Sequence, residues 1–235
     1  MRFLLILGED ELASTRPASE QQQLIAGHRE VATALRARGQ LLDGHRLRPA
    51  SEAVTLRGRE QLLVDGPFTE AKECVGGFYL VECESRDEAV AWAKRLPLHE
   101  GGTIEVRPAR TGAQWRRPVR GRKFVVMFVS NEASQARRDR AEVFRDIDDH
   151  YELSLELAAE GKFVASRSLD SSAHAVRLHR TNGAWLATDS PFAETKEVIL
   201  GYFVIACDTK PEAVELARRL MGGSDAAEVR PIWDV

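Results

Sequence analysis

The sequence predicts an α+β protein built from two tandem copies of one ferredoxin-like βαββαβ unit. Three observations carry this: a long internal repeat, an element order that recurs in both copies, and strands that are apolar on both faces. DGPFTEAKECVGGFYLVECESRDEAVAWAKRLP (Asp65–Pro97) aligns without a gap on DSPFAETKEVILGYFVIACDTKPEAVELARRLM (Asp189–Met221), and 14 of the 33 positions are identical. The rest of each copy follows with small shifts. Arg2-Phe3-Leu4 matches Lys123-Phe124-Val125, His28 with Gly39 matches His150 with Gly161, and both copies close on Glu-Val-Arg-Pro. A repeat of this length sets the domain plan: residues 1–110, a polar and basic linker at 111–122, and residues 123–235.

The elements of the first copy follow in order. Phe3–Leu7 is a strand. A helix runs near Glu20–Arg38, with capping-box spacing at Ser19 and Gln22 and a stop at Gly39. Leu41–Leu47 is a second strand. Ala53–Leu56 and Gln61–Val64 flank Arg57-Gly58-Arg59 and read as a small hairpin. Phe78–Cys83 is the third core strand, Ser85 with Glu88 caps a helix through Leu96, and Ile104–Arg107 closes the sheet. With the hairpin set aside, the order gives an antiparallel sheet with both helices on one face. Such a sheet, half in water, should alternate apolar and polar residues. Phe3–Leu7, Phe124–Val129 and Tyr202–Ile205 do not alternate, so the second face needs cover. The expectation is that the two sheets pack face to face as an intramolecular barrel-like sandwich.

Composition narrows the function classes. Lys plus Arg is 33 and Asp plus Glu is 36, a net charge of −3, which argues against a dedicated nucleic-acid binder. Cys74, Cys83 and Cys207 form neither a disulfide framework nor a zinc pattern and read as reduced thiols. The N-terminal apolar run is too short for a signal-peptide core, and no run of about 20 apolar residues occurs. The expectation is a cytoplasmic protein without a membrane or nucleic-acid partner, either a monomeric pseudo-dimer or a higher homo-oligomer.

Asp65-Gly66-Pro67-Phe68, followed by Glu70, Lys72, Glu73 and Gly76-Gly77-Phe78, resembles the signature of DGPF-type proteins of the YCII-related family. The resemblance covers both copies. It implies a dimeric α+β barrel, in agreement with the strand argument. It also implies either a small-molecule enzyme using a His–Asp pair or a regulatory role beside sigma factors.

His28 lies on a helical stripe with Gln21, Ile25, Ala32 and Leu35, and His150 lies on one with Val143, Ile147, Ser154 and Leu157. Each is either a general base tuned by a carboxylate or a structural histidine bonded to a carbonyl. Asp65 and its equivalent Asp189 are the candidate partners, or else turn caps. Glu70, Lys72 and Glu73, with Glu194, Lys196 and Glu197, form either a solvated loop or a small-anion site. No metal spacing and no cofactor motif is present. Two readings stand: a cofactor-independent enzyme acting on a small organic acid, lactone or phenol-like compound, and a non-catalytic ligand-binding or regulatory module. Copy two carries Ser190 for Gly66 and Leu200 for Gly76, so the two sites are expected to be inequivalent. His45, His99, His174 and His179 have no counterpart in the other copy and carry no assignment.

Overall fold

The two apolar runs at Phe3–Leu7 and Phe124–Val129 become inner strands of two separate six-stranded antiparallel sheets. The computed structural model describes residues 1–10, 16–68, 73–110, 112–115, 119–188 and 197–233. The first repeat contributes β1 (Arg2–Asp10), α1 (Ala18–Ala37), β2 (Leu41–Arg46), β3 (Val54–Arg57), β4 (Leu62–Asp65), β5 (Glu73–Glu82), α2 (Arg86–Ala93) and β6 (Thr103–Pro108). The second contributes β7 (Arg122–Asn131), α3 (Glu132–Gln135), α4 (Arg140–Ala159), β8 (Phe163–Ser168), β9 (Val176–Thr181), β10 (Ala184–Thr188), β11 (Glu197–Cys207), α5 (Lys210–Leu220) and β12 (Ala226–Pro231).

The sheet orders are β10-β9-β6-β1-β5-β2 and β4-β3-β12-β7-β11-β8. Each repeat therefore keeps its own ferredoxin-like strands and gives its hairpin to the other sheet. The repeats are the units of sequence; the units of packing differ from them by that exchange. Unit 1 is Met1–Pro49, Ala71–Arg110 and Leu169–Glu194, and unit 2 is Ala50–Glu70, Thr111–Ser168 and Thr195–Val235. The joins are ordinary ladders. Val176 to His179 pair with Val106 to Thr103 in unit 1, and Val54 to Arg57 pair with Val229 to Ala226 in unit 2. The expectation that set the hairpins aside as accessories is corrected here, because each completes a sheet edge that would otherwise expose unpaired backbone groups.

The α+β class holds within each unit. In unit 1 the helices cover one sheet face, where Val31, Leu35, Ala89 and Trp92 pack on Phe3, Leu5, Val81, Ile104 and Val106. Val176 and Leu178 of the received hairpin join that core. In unit 2 Leu153, Leu157, Ala217 and Leu220 pack on Phe124, Val126, Phe203 and Val229, with Val54 and Leu56 of the received hairpin. The face away from the helices is buried as well: Leu4, Ile6, Phe78 and Leu80 in unit 1, and Val125, Met127, Tyr202 and Val204 in unit 2.

Several local expectations change. The N-cap of α1 is Pro17 with no side-chain bond, so Ser19 and Gln22 sit within the helix instead of forming a capping box. The later helices are capped as expected: Ser85 accepts from Glu88 N–H at 3.2 Å, and Thr209 from Glu212 N–H at 3.3 Å. The linker is not merely solvated, because Trp115 N–H donates to the Val164 carbonyl at 2.7 Å beside β8. Ile147 does not join the buried stripe of α4, which consists of Leu153, Ser154, Leu157 and Ala158.

Candidate functional site

Among the described residues, His28 and His150 bond groups other than an aspartate. His28, on α1, stands with Nδ1 3.2 Å from the Tyr79 hydroxyl, and the two rings stack. Burial, with the nearby Arg46 charge, lowers the His28 pKa to about 4. Burial, partly opposed by Arg36, raises that of Tyr79 to about 12. Both shifts disfavour the charged forms, so this is a bond between two neutral groups, unsuited to proton exchange at neutral pH. His150 Nε2–H donates to the Leu220 carbonyl at 2.6 Å, satisfying a carbonyl at the end of α5, with the ring stacked on Phe128.

Asp65 is exposed at the end of edge strand β4, in unit 2, whereas His28 belongs to unit 1. The segment after it anchors the exchanged hairpin. Thr55 Oγ1 donates to the Gly66 carbonyl at 2.8 Å, Phe68 N–H donates to buried Glu228 at 2.9 Å, and Arg57 donates to the Phe68 carbonyl. Glu228 also holds Arg230, as Glu105 holds Arg107 in unit 1; all four are buried. Glu73 is not free for a ligand, because Arg177 and the Thr103 hydroxyl donate to its two oxygens. Glu197 lies 3.7 Å from Arg57. In both units a hairpin arginine from one repeat meets a strand glutamate of the other. Glu70, Lys72, Asp189, Glu194 and Lys196 lie outside the described residues.

A different His–Asp pair is assembled on β2. Asp43 and His45 alternate on an extended strand, so both point to the face away from the helices. His45 lies opposite Phe78 in register and packs edge-on against it at 5.4 Å, while Asp43 lies opposite Leu80. His45 Nε2 is 3.0 Å from Asp43 Oδ1, and the side chains are only 10% and 12% exposed. Gly44 N–H donates to that same Oδ1 at 2.9 Å, fixing the carboxylate. Asp43 Oδ2 is buried without a hydrogen-bond partner among the described residues, and His45 Nε2, also buried, meets Oδ1 at that distance without hydrogen-bond geometry. The strand comes this close because of Gly77: a Cβ there would lie 2.6 Å from the His45 carbonyl oxygen. Gly201 stands in the same relation to Arg167, at 2.4 Å.

Across the sheet, register places Arg177, Glu105, Ile6, Phe78 and His45 in one row, with Arg107, Leu4, Leu80 and Asp43 in the next. The pair thus borders an apolar floor of four side chains. The buried Glu105–Arg107 pair lies beyond that floor, three strand spacings or about 14 Å away. The matching rows of unit 2 end in Arg167 and Ala165. Unit 2 therefore has no His–Asp pair at these positions, a difference between the copies that lies at residues other than Gly66 and Gly76. At the expected positions, Gly76 leaves room for the Glu9 side chain, and Leu200 packs against the core of unit 2.

Among the described residues, the other reactive groups are buried or already engaged. Burial, with Glu88 adding to it, raises the Cys83 thiol to about 11. Burial, with Glu212 adding to it, raises Cys207 to about 12, so neither is a ready nucleophile. A polar cleft of about 460 Å³ in unit 2 is lined by Trp115, Arg120, Lys162, Cys207 and Glu212. Its lysine already pairs with Glu160 and Glu212 at 2.7 and 3.2 Å. No described helix is long and apolar enough to cross a membrane.

A model of the YCII-related domain matches residues 1–112 and again residues 123–235. An uncharacterised protein of Rhizobium meliloti (strain 1021) is 34% identical over 109 residues, which is 45% of this chain and 88% of that protein. Among solved structures, a heme-binding protein from Thermus thermophilus aligns over 99% of this chain and 91% of its own, at 8% identity and a TM-score of 0.45. A chlorite dismutase variant from Candidatus Nitrospira defluvii aligns over 99% and 91%, at 9% identity and a TM-score of 0.40. Nothing of their ligands or activity is carried over.

Proposed function

The chain belongs to the YCII-related domain family, and on that premise we propose that unit 1 carries a cofactor-independent acid–base site, formed by His45 and Asp43, for a small organic acid, lactone or phenol-like compound. The observation that supports this is the buried Asp43–His45 pair, in which Asp43 Oδ2 has no hydrogen-bond partner among the described residues. A compound offering a donor group satisfies Asp43 Oδ2 and sets its acidic proton beside the His45 ring. The imidazole takes a proton from an acidic O–H or C–H of the substrate, leaving the substrate anionic and the ring cationic. Asp43 orients the ring and balances its charge.

The test is a panel of small carboxylates, lactones and phenols, read by histidine NMR signals and by turnover. His45→Gln and Asp43→Asn should each lower turnover at least roughly a hundredfold, while His28→Gln leaves it intact. Undiminished turnover in His45→Gln would reject the assignment. A second reading, ligand binding without turnover, is favoured by Ala165 and Arg167 at the matching places in unit 2, where an arginine can hold an anion but cannot exchange a proton. Under that reading the panel yields binding that His45→Gln weakens, and no product.

A further inference from the structure

Helix α4 carries two apolar stripes, and only one is used by the fold. Leu153, Leu157 and Ala158 face the core of unit 2. Phe144, Ile147, Tyr151 and Leu155, at spacings of three, four and four, lie on a neighbouring face and are 54%, 54%, 62% and 53% exposed. The stripe spans three turns, about 17 Å of helix. The duplication supplies an internal control. At the 122-residue offset that relates His28 to His150, the same face of α1 is Gln22, Ile25, Arg29 and Thr33. One ancestral helix face has thus become polar in one copy and aromatic and aliphatic in the other. The fold requires no such stripe, since α1 packs without one.

The charge beside the stripe is one-sided. Along α4 stand Glu142, Asp146, Asp148, Asp149, Glu152 and Glu156 against Arg140 and Arg145. Asp148, Glu152 and Glu156 form the next row on the helix surface, directly alongside the apolar one. Asp146 pairs with Arg138 at 2.8 Å and Glu156 with Arg219 at 2.6 Å. Asp148, Asp149 and Glu152 are exposed and form no ion pair among the described residues. Arg140 lies over the Phe144 ring at 5.8 Å, at one end of the stripe.

We propose that the exposed face of α4, Phe144, Ile147, Tyr151 and Leu155 with its acidic border, is a docking surface for a basic amphipathic helix of a partner protein. The occupant lays an apolar face along the stripe and sets lysines or arginines against Asp148, Asp149 and Glu152, the helix-to-helix mode read through anchors at i, i+3 or i+4, and i+7. A second copy of this chain would set the acidic row against an equally acidic helix. An anionic membrane surface is repelled by the same row. This inference stands apart from the acid–base site and does not depend on it.

The probes are two synthetic helical peptides with the same leucine stripe, one flanked by lysine and the other by glutamate, titrated against the full chain by fluorescence anisotropy. The lysine peptide should bind, and more weakly as salt rises. The glutamate peptide should not. Ile147→Gln and Tyr151→Gln, both at exposed positions, should each weaken binding roughly tenfold or more with unchanged melting. Asp148→Asn with Glu152→Gln should weaken it less and flatten the salt dependence. Equal binding of both peptides, or of neither, overturns the proposal. So does a concentration-dependent dimer that Ile147→Gln dissolves, or stripe-dependent binding to phosphatidylcholine vesicles.

Discussion

His28 has a pH signature that separates a structural histidine from a catalytic one. Its folded pKa of about 4 lies below the 6.5 of an unperturbed imidazole, so the unfolded chain takes up a proton at a higher pH than the native one does. The contribution is full above about pH 7, falls as pH drops from about 6.5 to 4, and has gone below that. It amounts to about 3 kcal/mol in all, of which about 2 is lost by pH 5. His28→Gln keeps a side chain able to meet the Tyr79 hydroxyl but removes the titration. Melting curves at pH 7 and pH 5 should therefore show a larger acid loss for the wild type than for the variant; equal losses would deny the shift. The sequence makes His28 prominent because it recurs as His150, but recurrence marks residues kept for packing as readily as residues kept for function. His45 was legible by another route, since Asp43-x-His45 on a strand puts both groups on one face. A site present in a single copy leaves no trace in the repeat. Glycine at Gly77 and Gly201 was visible in the motif, but the carbonyl each one accommodates lies on a strand more than 30 residues earlier.

The hairpins show where local pattern stops informing. Their existence was readable from the turn residues around Gly58, and the order of the remaining strands followed from apolar runs and caps. Their destination was not, because an edge strand pairs equally well with either of two nearly identical sheets and the pattern along it is the same in both cases. What fixes the destination is specific polar chemistry: Arg177 on Glu73, Trp185 Nε1–H on the Lys94 carbonyl at 3.1 Å, and Phe68 N–H on Glu228. Arg177→Met should leave the Glu73 carboxylate with Thr103 alone. Allowing for partial exposure, a loss of roughly 2–3 kcal/mol is expected. Amide exchange should quicken first across β9 and β10, before the remaining strands of unit 1. Uniform acceleration across unit 1 would mean that the ion pair does not hold the hairpin as such.

For the chain as a whole, the exchange makes each repeat incomplete. A protein divided within the linker into two polypeptides should give halves that, alone, aggregate or dimerise by lending hairpins to further copies, as swapped elements do. Expressed together, the halves should form a 1:1 complex with cooperative melting, which sedimentation and circular dichroism can check. Two well-folded monomeric halves would contradict the sheet orders described above. The same feature dictates a timetable during synthesis. Unit 1 draws on β9 and β10, which end at Thr188, and the partner strand that receives β3 in unit 2 is β12, which ends at Pro231. Although the first repeat is the first to leave the ribosome, it emerges with a sheet edge it cannot close and a hairpin it cannot place. Its hairpin waits for a strand some 170 residues later, so closure is delayed until β12 has been made, and the loop-closure entropy of such distant pairings slows it further. The nascent first repeat, with its open edge, is the species most dependent on chaperones.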